Sequence, residues 1–375
     1  MVTVPFCPNP LCEHHLEPQR PDWYFRNGAH QTKAFGPVRR FLCRSCGKTF
    51  STQTFSIDYY AKKVVDYRDF LTRHAHAESV RALGRGMHLS CGSVLNRFDR
   101  LSRQAAALHA ELRPLAQARE DTCADGFVSF DVSQFFPNEI TLSITAHSRF
   151  ILDLSHATRK RSGSMTPAQK ARAEELYATA VFERGAIARS FADILKSLAQ
   201  ERPPAPHRPL VIITDEKKEY EQALHRSSLW RGQDKEHRVA HLRINSRLSR
   251  TFLNPLFPSN YLDREIRKDQ ANHHRETTCF CRNVANGMAR LTCYLVHHNY
   301  RKRYLIKAPV GDERVHAEVA GLDRSRIMLG LEAMFSRRVF HSRISLPETL
   351  DRIWRKTYPT PLKTKAAYLP AFALG

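Results

Sequence analysis

Two pairs of cysteines near the N-terminus constrain the fold of this chain more than any other feature. Cys7 and Cys12 bracket a Pro-Asn-Pro turn, and Cys43 and Cys46 follow downstream with a glycine directly after them. Four thiolates at this spacing suit a closed tetrahedral Zn²⁺ site, and the glycine permits the turn that points backbone N–H groups at sulfur. Short aromatic and basic runs between the pairs favour hairpin strands. The pattern therefore predicts a zinc ribbon over residues 1–56.

The first pair is spaced more widely than is usual, so a neighbouring histidine could replace one cysteine ligand. His14 and His15 follow Cys12 closely and are the alternatives. A redox role for Cys43 and Cys46 is disfavoured because no βαβ pattern surrounds them. The chain has nine cysteines, an odd number, and most are scattered, which argues against a disulfide framework.

The hydropathy of the chain indicates no membrane partner. No apolar run approaches the roughly 20 residues that a membrane-spanning helix needs. The sequence opens without the basic and apolar regions of a secretory signal. We expect a cytoplasmic protein.

The charge of the chain is strongly positive and unevenly distributed. The formal net charge is +22. Residues 1–120 hold 18 basic and 10 acidic side chains, residues 121–240 hold 17 and 16, and residues 241–375 hold 24 and 11. Two basic flanks around a nearly neutral middle favour a polyanionic partner, most commonly nucleic acid. A basic protein without that partner, or one that binds anionic membranes, is the alternative interpretation.

A helical region, residues 57–120, follows the cysteine pairs. Apolar residues recur near helical spacing on both sides of Gly84 and Gly86, and Ser90 is suited to cap the helix that follows. A helix, a glycine turn and a second helix are the elements of a helix-turn-helix, and a helical linker would complete the region.

The second predicted helix carries arginines at regular intervals. Arg97, Arg100 and Arg103 occupy every third position. A helix-turn-helix places its second helix in the major groove of DNA, so we expect these three side chains to contact DNA. An ordinary helical hairpin with a solvated basic face would give the same pattern.

Residues 121–310 change to β periodicity. Three segments, "GFVSFDVSQFF", "EITLSITAH" and "RFILDLSHA", predict consecutive antiparallel strands. A helical stretch follows, and then an apolar run over residues 210–213 that predicts a buried parallel strand, a helix and another short strand. This is the element order of an RNase H-like fold. We therefore predict an α+β multi-domain protein whose third part is an RNase H-like α/β catalytic domain, a mixed sheet with flanking helices.

Two aspartates stand at the predicted strand ends. Asp131 lies in or at the end of the first strand, and Asp215 follows the parallel strand. Binding sites of open sheets lie outside strand ends, so two carboxylates there could share divalent metal ions. Asp215 could instead cap the next helix. Asp131 has no such alternative, because a carboxylate among apolar side chains needs a partner or a metal.

A third acidic residue is expected from a later helix. The candidates are Asp263, Glu265, Asp269 and Glu276. Asp263 shares a helical face with Arg267, which would pair a metal ligand with a phosphate-binding arginine. Asp263 is the first choice and Glu265 the second, and most of the others would be solvated charges.

Four stretches of the sequence together carry a resemblance to a known family. They are "CPNPLC…FLCRSCGKTFS", "SFDVSQ", "VIITDEKKEY" and the block from "NPLFPSNYLDREIRKDQ" to "YLVHHNYRK", and they span most of residues 7–303. The chain resembles prokaryotic insertion-sequence transposases of the DDE class that carry an N-terminal zinc ribbon and a helix-turn-helix. The resemblance implies Asp131 and Asp215 as catalytic acids and matches Asp263 to the third, where many relatives have glutamate.

The resemblance also implies cofactors and partners. Two Mg²⁺ or Mn²⁺ ions would be held by Asp131, Asp215 and Asp263 for phosphoryl transfer, beside a structural Zn²⁺. The partner would be double-stranded DNA, both element ends and target, and a dimer or larger homo-oligomer would join the two ends. The basic C-terminal region, residues 311–375, would hold DNA phosphates and end in a loosely held tail. A DNA-binding regulator without catalysis and a nuclease that does not join ends are the alternatives.

Overall fold

The computed structural model of the chain describes residues 4–116, 120–201, 210–234, 238–274, 277–307 and 309–375. Glu276, one of the candidate acids, lies outside these ranges. Among the helices within them, none combines the length and the apolar character that crossing a membrane would require.

A small antiparallel sheet forms the N-terminal part of the chain. Its strands, which pair in sequence order, are β1 (Tyr24–Thr32), β2 (Gly36–Cys43) and β3 (Thr49–Ser51). The buried cluster here consists mainly of cysteine side chains and aromatic rings, with Trp23 stacked on Phe50 at 5.6 Å between ring centroids. A core of this size contributes little stability by itself. We therefore expect a bound metal ion to stabilise this part of the chain.

Three helices follow the small sheet: α1 (Tyr67–Ala75), α2 (Val80–Gly86) and α3 (Cys91–Leu112). Ser90 caps α3 as predicted, because its Oγ accepts a hydrogen bond from the N–H of Ser93 at 3.2 Å. The predicted glycine turn is wrong. Gly84 and Gly86 both lie within α2, and the chain turns after them. Gly84 is needed for close packing, since a Cβ there would lie 2.8 Å from the carbonyl oxygen of Leu89.

A mixed five-stranded sheet forms the centre of the protein. Its strands are β4 (Thr122–Phe130), β5 (Pro137–Thr145), β6 (Ile151–Thr158), β7 (Val211–Asp215) and β8 (Ala240–Ile244). Their order across the sheet is β6-β5-β4-β7-β8. The pairs among β4, β5 and β6 are antiparallel, whereas β7 runs parallel to both β4 and β8. The predicted succession of three antiparallel strands and later parallel strands is confirmed.

Eight further helices surround this sheet and complete the C-terminal region in the described residues. They are α4 (Pro167–Thr179), α5 (Ala186–Glu201), α6 (Lys218–Arg226), α7 (Phe257–Asp269), α8 (Val284–Tyr300), α9 (His316–Val319), α10 (Arg324–Ser336) and α11 (Glu348–Trp354). Helix α5 packs on β5 and β6, and α7 packs on β4 and β5. Helix α3 packs against α8, α10 and α11. The protein is therefore a mixed α+β structure.

One hydrophobic core runs through the helical region, the central sheet and the C-terminal helices. It extends from Ile57 to Tyr358 without a break at residue 120 or residue 310. The division of the chain into domains at those two positions stays a prediction. The described residues on both sides of each position belong to one buried cluster. The N-terminal sheet has its own cluster of buried residues.

Both ends of the predicted tail pack against the protein, since Thr360 Oγ1 accepts a hydrogen bond from the N–H of Val284 at 3.0 Å and Ala373 is buried. The prediction of a tail that is loosely held throughout is therefore wrong. Ser342 hydrogen-bonds His15 Nε2 at 2.8 Å, and Arg343 donates to the His15 carbonyl at 2.8 Å. The indole Nε1 of Trp354 donates to the carbonyl of Ala373 at 2.7 Å. These contacts join the end of the chain to its beginning.

Trp354→Ala is expected to lower the free energy of unfolding by about 3–5 kcal/mol, because a buried indole would leave a cavity. Trp354 is 1% exposed, and its loss also removes the hydrogen bond to Ala373. Urea unfolding measures the change. Tyr368→Ala, at an aromatic side chain that is 80% exposed, is the control and should change stability by about 0.5 kcal/mol or less. Equal effects of the two substitutions would contradict this packing.

Candidate functional site

The four N-terminal cysteines converge at one point. The Sγ atoms of Cys7 and Cys46 lie 3.5 Å apart, those of Cys12 and Cys43 lie 3.6 Å apart, and all four fall within 4.8 Å of one another. A tetrahedral Zn²⁺ with Zn–S bonds of about 2.3 Å has sulfur–sulfur edges of about 3.8 Å, so this spacing fits the ion. These cysteines could hold a structural metal ion such as Zn²⁺. In the described ranges, no other group of three or more His, Cys, Asp or Glu side chains is as close.

The backbone around the cysteines is arranged for this cluster. Gly47 has a φ of +68°, and its N–H donates to the carbonyl of Cys43 at 3.1 Å. Burial would raise the pKa of Cys46, but hydrogen bonds from the Asn9 side chain and the Lys48 N–H outweigh it and lower that pKa to about 7. Burial raises the pKa of Cys12 to about 11. A bound cation would favour the thiolate form of every ligand.

The two histidines do not join the cysteine cluster. His14 Nε2 hydrogen-bonds Ser45 Oγ at 2.9 Å, and its Nδ1 accepts from the N–H of Gln19 at 3.1 Å. His15 Nδ1 hydrogen-bonds the carbonyl of Cys7 at 2.7 Å, and its other nitrogen is bonded to a serine. Both rings are therefore occupied in holding the surrounding loops, which leaves the four cysteines as the candidate ligand set.

The register of the central sheet brings Asp125, not Asp131, beside Asp215. Strands β4 and β7 are parallel, with Cys123 opposite Ile213. Two residues further along each strand, Asp125 and Asp215 reach the same level of the sheet. Asp131 lies six residues beyond Asp125, which is about 20 Å along an extended strand. The expectation that Asp131 meets Asp215 at the strand ends is wrong.

A lysine ammonium group contacts both of these aspartates. Lys217 Nζ lies 3.9 Å from Asp125 Oδ1 and 3.6 Å from Asp215 Oδ2. It also lies 3.0 Å from Oε1 of Glu139, a side chain that is 1% exposed. The Tyr220 hydroxyl donates to the same Glu139 oxygen at 2.9 Å. Lys217 therefore offsets part of the negative charge that the sheet brings together.

Helix α7 adds a third carboxyl group. Burial, and after it the negative charge of Asp125, raise the pKa of Asp263 to about 7, against the opposing charge of Arg267. Burial also raises the pKa of Asp125 to about 6, with Lys217 acting to lower it. For both aspartates burial is the main cause of the raised pKa, and a like charge nearby adds to it. The carboxylate oxygens are more widely spaced than the cysteine sulfurs.

A glycine makes room for this arrangement. A Cβ on Gly126 would lie 2.5 Å from both Cγ and Oε1 of Glu139. The Glu139 side chain thus fills the space above Gly126 and reaches Lys217 from the neighbouring strand. The sequence prediction missed Asp125 because it started the first strand after this residue, and it gave Glu139 and Lys217 no role because their contacts depend on the sheet register. An aspartate followed by a glycine within a strand is the signal that could have identified Asp125.

Asp131 has a different environment, in which its carboxylate is fully partnered. His156 Nε2 lies 2.9 Å from Oδ2, the Thr158 hydroxyl donates to Oδ2 at 2.8 Å, and Asn138 donates to Oδ1 at 2.8 Å. The side chain is buried, and the partners come from β5 and β6. A buried carboxylate needs a partner, and these three side chains supply it to Asp131.

The other acidic residues of α7 face away from Asp125. Lys268 Nζ lies 2.9 Å from Glu265, and Lys302 also pairs with Glu265. Burial would raise the pKa of Glu265, but these two lysines outweigh it and lower that pKa. Asp269 accepts a hydrogen bond from Lys302 at 2.7 Å. Of the described candidates on α7, Asp263 is the one brought to the aspartates of the sheet.

The arginines predicted to contact DNA lie inside the protein. Arg97, Arg100 and Arg103 are each 4–5% exposed, because α3 packs against helices on several sides. Arg267 is half-buried, and its guanidinium donates to the carbonyl of Val128 at 3.0 Å. The buried positions of the three residues on α3 do not fit the prediction that they contact DNA. The hydrogen bond of Arg267 joins α7 to β4.

Other basic residues of these regions are exposed. Arg81 and Arg85 lie on α2, and Arg26, Arg39 and Arg40 lie on the N-terminal hairpin. They are therefore among the accessible positive charges of the N-terminal sheet and of the predicted helix-turn-helix.

No family model matches the sequence, and no curated protein matches it either. Assignment of a function therefore depends on the residues and contacts of the chain itself.

Cys43→Ser is expected to reduce bound zinc from about one ion per chain to near zero, because the site then lacks its fourth thiolate. Elemental analysis of purified protein measures the content. Cys91→Ser is the matched control, since Cys91 is exposed at the start of α3. Equal zinc in both variants would exclude the four-cysteine site.

Asp263→Asn is expected to stabilise the protein at about pH 8 and to lose most of this advantage at about pH 5, without added divalent cations. The folded pKa of about 7 exceeds the unfolded value of about 3.9. Between these values the folded state binds the extra proton, so wild-type stability falls as the pH rises. Thermal unfolding should show a difference of about 2 °C or more near pH 8. Asp234→Asn, at an exposed aspartate, is the control. A larger advantage at the lower pH would contradict the assignment.

Proposed function

We propose that this chain is the DNA transposase of an insertion sequence and that Asp125, Asp215 and Asp263 form its catalytic acid triad. One observation carries the proposal: the parallel register of β4 and β7 places Asp125 beside Asp215. Helix α7 packs on β4, and the charge of Asp125 acts on Asp263 of that helix. The family resemblance of the sequence supplies the reaction class. The first acid is Asp125 in place of Asp131.

The strand order supports an RNase H-like fold for the central domain. In that fold a central strand carries the first aspartate, and the adjacent parallel strand carries the second at its end. Here β4 is the central strand with antiparallel β5 on one side and parallel β7 on the other. Asp125 lies within β4, Asp215 ends β7, and α7 supplies the third acid after β8.

The donor atoms of this site fit a hard divalent cation. Carboxylate oxygens are the ligands that Mg²⁺ and Mn²⁺ prefer. Burial, and after it the charge of neighbouring carboxylates, raise the pKa values of Asp125 and Asp263, and a bound cation would favour their ionised forms. When bound, two such ions would activate the attacking oxygen and stabilise the leaving oxygen of a phosphodiester. Asp125, Asp215 and Asp263 would hold them.

The neighbouring residues of the chain would position these ligands. Glu139 and Tyr220 hold the Lys217 ammonium, which contacts Asp125 and Asp215. Lys217 therefore limits the repulsion between the two carboxylates. Its positive charge would also attract the phosphate group that is to be cleaved.

The N-terminal parts would recognise the ends of the element. The hairpin carries Arg26, Arg39 and Arg40 on its exposed surface, and α2 carries Arg81 and Arg85. A two-stranded ribbon and a helix end both fit the major groove of DNA. Because these contacts would be ionic, binding should weaken steeply with salt. Joining two element ends requires at least a dimer on DNA.

Asp125→Asn is expected to retain binding to DNA but to lose Mg²⁺-dependent cleavage by about 10³-fold or more, because a metal ligand is removed. The assay uses labelled element ends and a supercoiled target, with Mg²⁺ or with EDTA. Asp131→Asn is the matched control, since it alters a buried aspartate of the same segment, and it should keep cleavage within about tenfold.

The assay separates the alternatives. Loss of cleavage in Asp131→Asn with full activity in Asp125→Asn would contradict the assigned triad. Cleavage without joining would indicate an RNase H-like nuclease. Tight binding without cleavage under any divalent metal would indicate a DNA-binding regulator.

A further inference from the structure

Three arginine side chains converge on a small cavity between α3 and the C-terminal residues. Arg100, Arg103 and Arg338 line it together with Gln104 and Phe372, and its volume is about 20 Å³. The cavity is distant in sequence from the aspartates of the central sheet. Two of its arginines are residues that the helical pattern assigned to DNA.

Two of the three guanidinium groups are held in place by protein oxygens. Arg100 donates to Asn96 Oδ1 and to the carbonyl of Ile57, each at 2.9 Å. Arg338 donates to the carbonyl of Thr54 at 3.3 Å. These acceptors are uncharged, so they fix the positions of the guanidinium groups without neutralising them.

The third guanidinium has no polar partner in the described part of the chain. Arg103 is 5% exposed, and its side chain makes neither a hydrogen bond nor an ion pair with a described residue. A buried cation in this state is costly unless an anion or an acceptor accompanies it. None of the nitrogen atoms of Arg103 is fully buried without a partner, so the guanidinium reaches the space of the cavity, where an anion could accompany it.

No carboxylate of the described residues forms an ion pair with any of the three arginines. The nearest acid in sequence, Asp99, is instead paired with Lys356 at 2.8 Å. Arg97, one turn earlier on α3, has Asp58 at 3.3 Å. The chain thus supplies an acid to one buried arginine of α3 and none to the two that line the cavity. Burial lowers the pKa of Arg103 and of Arg338 to about 10, and the charge of Asp99 acts to raise the pKa of Arg103.

We propose that this cavity binds one small inorganic anion of the size of chloride. Its volume exceeds the roughly 10–15 Å³ that one water molecule needs but leaves no room for a large organic anion. Guanidinium N–H groups are strong donors to anions. Gln104 adds a donor, because its Oε1 already accepts from the N–H of Val339 at 3.0 Å and its amide nitrogen remains.

A bound anion would hold the end of the chain against α3. The guanidinium carbons of Arg100 and Arg338 lie 5.2 and 5.7 Å from the centre of the Phe372 ring. Phe372 precedes Ala373, which accepts the hydrogen bond from Trp354. The anion would reduce repulsion among the arginines on which this segment rests, so its binding should stabilise the folded protein. This inference is independent of the proposed transposase activity.

The test is thermal unfolding of the full chain at constant ionic strength while gluconate, which is too large for the cavity, is replaced by chloride. A ligand that binds only the folded state raises the melting temperature with saturation. We expect a saturable rise of about 2–5 °C for the wild type and none for Arg103→Met. Arg103→Met should also melt above the wild type in gluconate, because it removes an uncompensated buried charge.

Arg81→Met is the matched control, since it removes an exposed arginine of the neighbouring helix, and it should keep the wild-type chloride response. An equal chloride response in Arg103→Met and Arg81→Met, or no response in the wild type, would overturn the proposal. Anomalous diffraction from wild-type crystals soaked in bromide is a second test that needs no variant. A peak among Arg100, Arg103 and Arg338 is expected, and an empty cavity in bromide would overturn the proposal.

Discussion

Repulsion between carboxylates at one edge of the central sheet is the constraint on which the surrounding structure depends. The parallel register of β4 and β7 places Asp125 beside Asp215, and α7 brings Asp263 to them. Glu139 adds a fourth carboxylate from β5, and Lys217 offsets only part of this charge. Such a site favours protonation or a cation, and at neutral pH a divalent ion neutralises more charge than a proton does. The same arrangement would place cations where a phosphodiester needs them.

Two aspartates in one segment show how burial alone misleads. Asp131 is buried and Asp125 is half-buried, but Asp131 has hydrogen bonds from His156, Thr158 and Asn138. Those neutral or positive donors satisfy both of its oxygens. Asp125 has instead a like charge nearby and a lysine shared with other acids. The environment of Asp125 is therefore the one that a bound cation would stabilise.

The parts of the fold that depend on local pattern could be predicted from the sequence. The cysteine spacing identified the cluster at Cys7, Cys12, Cys43 and Cys46, and apolar periodicity identified the order of strands. The first acid was missed because β4 begins at Thr122, in a stretch of small and polar residues without clear alternation. Its identity depends on the register with β7, which lies far along the chain.

The arginines of α3 were placed wrongly for a related reason. Arginine at every third position of a helix reads as a basic surface when the helix is considered alone. In the folded chain α3 is covered by α8, α10 and α11, all of which come from beyond residue 283. These distant helices decide that Arg100 and Arg103 face a cavity and not solvent. Burial of this kind cannot be read from α3 itself.

Binding of Mn²⁺ to the purified protein, measured by isothermal titration calorimetry in the absence of DNA, tests the central claim most directly. Asp125→Asn should lose high-affinity Mn²⁺ binding, and Asp131→Asn should bind Mn²⁺ as the wild type does. If Asp131→Asn lost the ion while Asp125→Asn retained it, the triad of Asp125, Asp215 and Asp263 would be wrong.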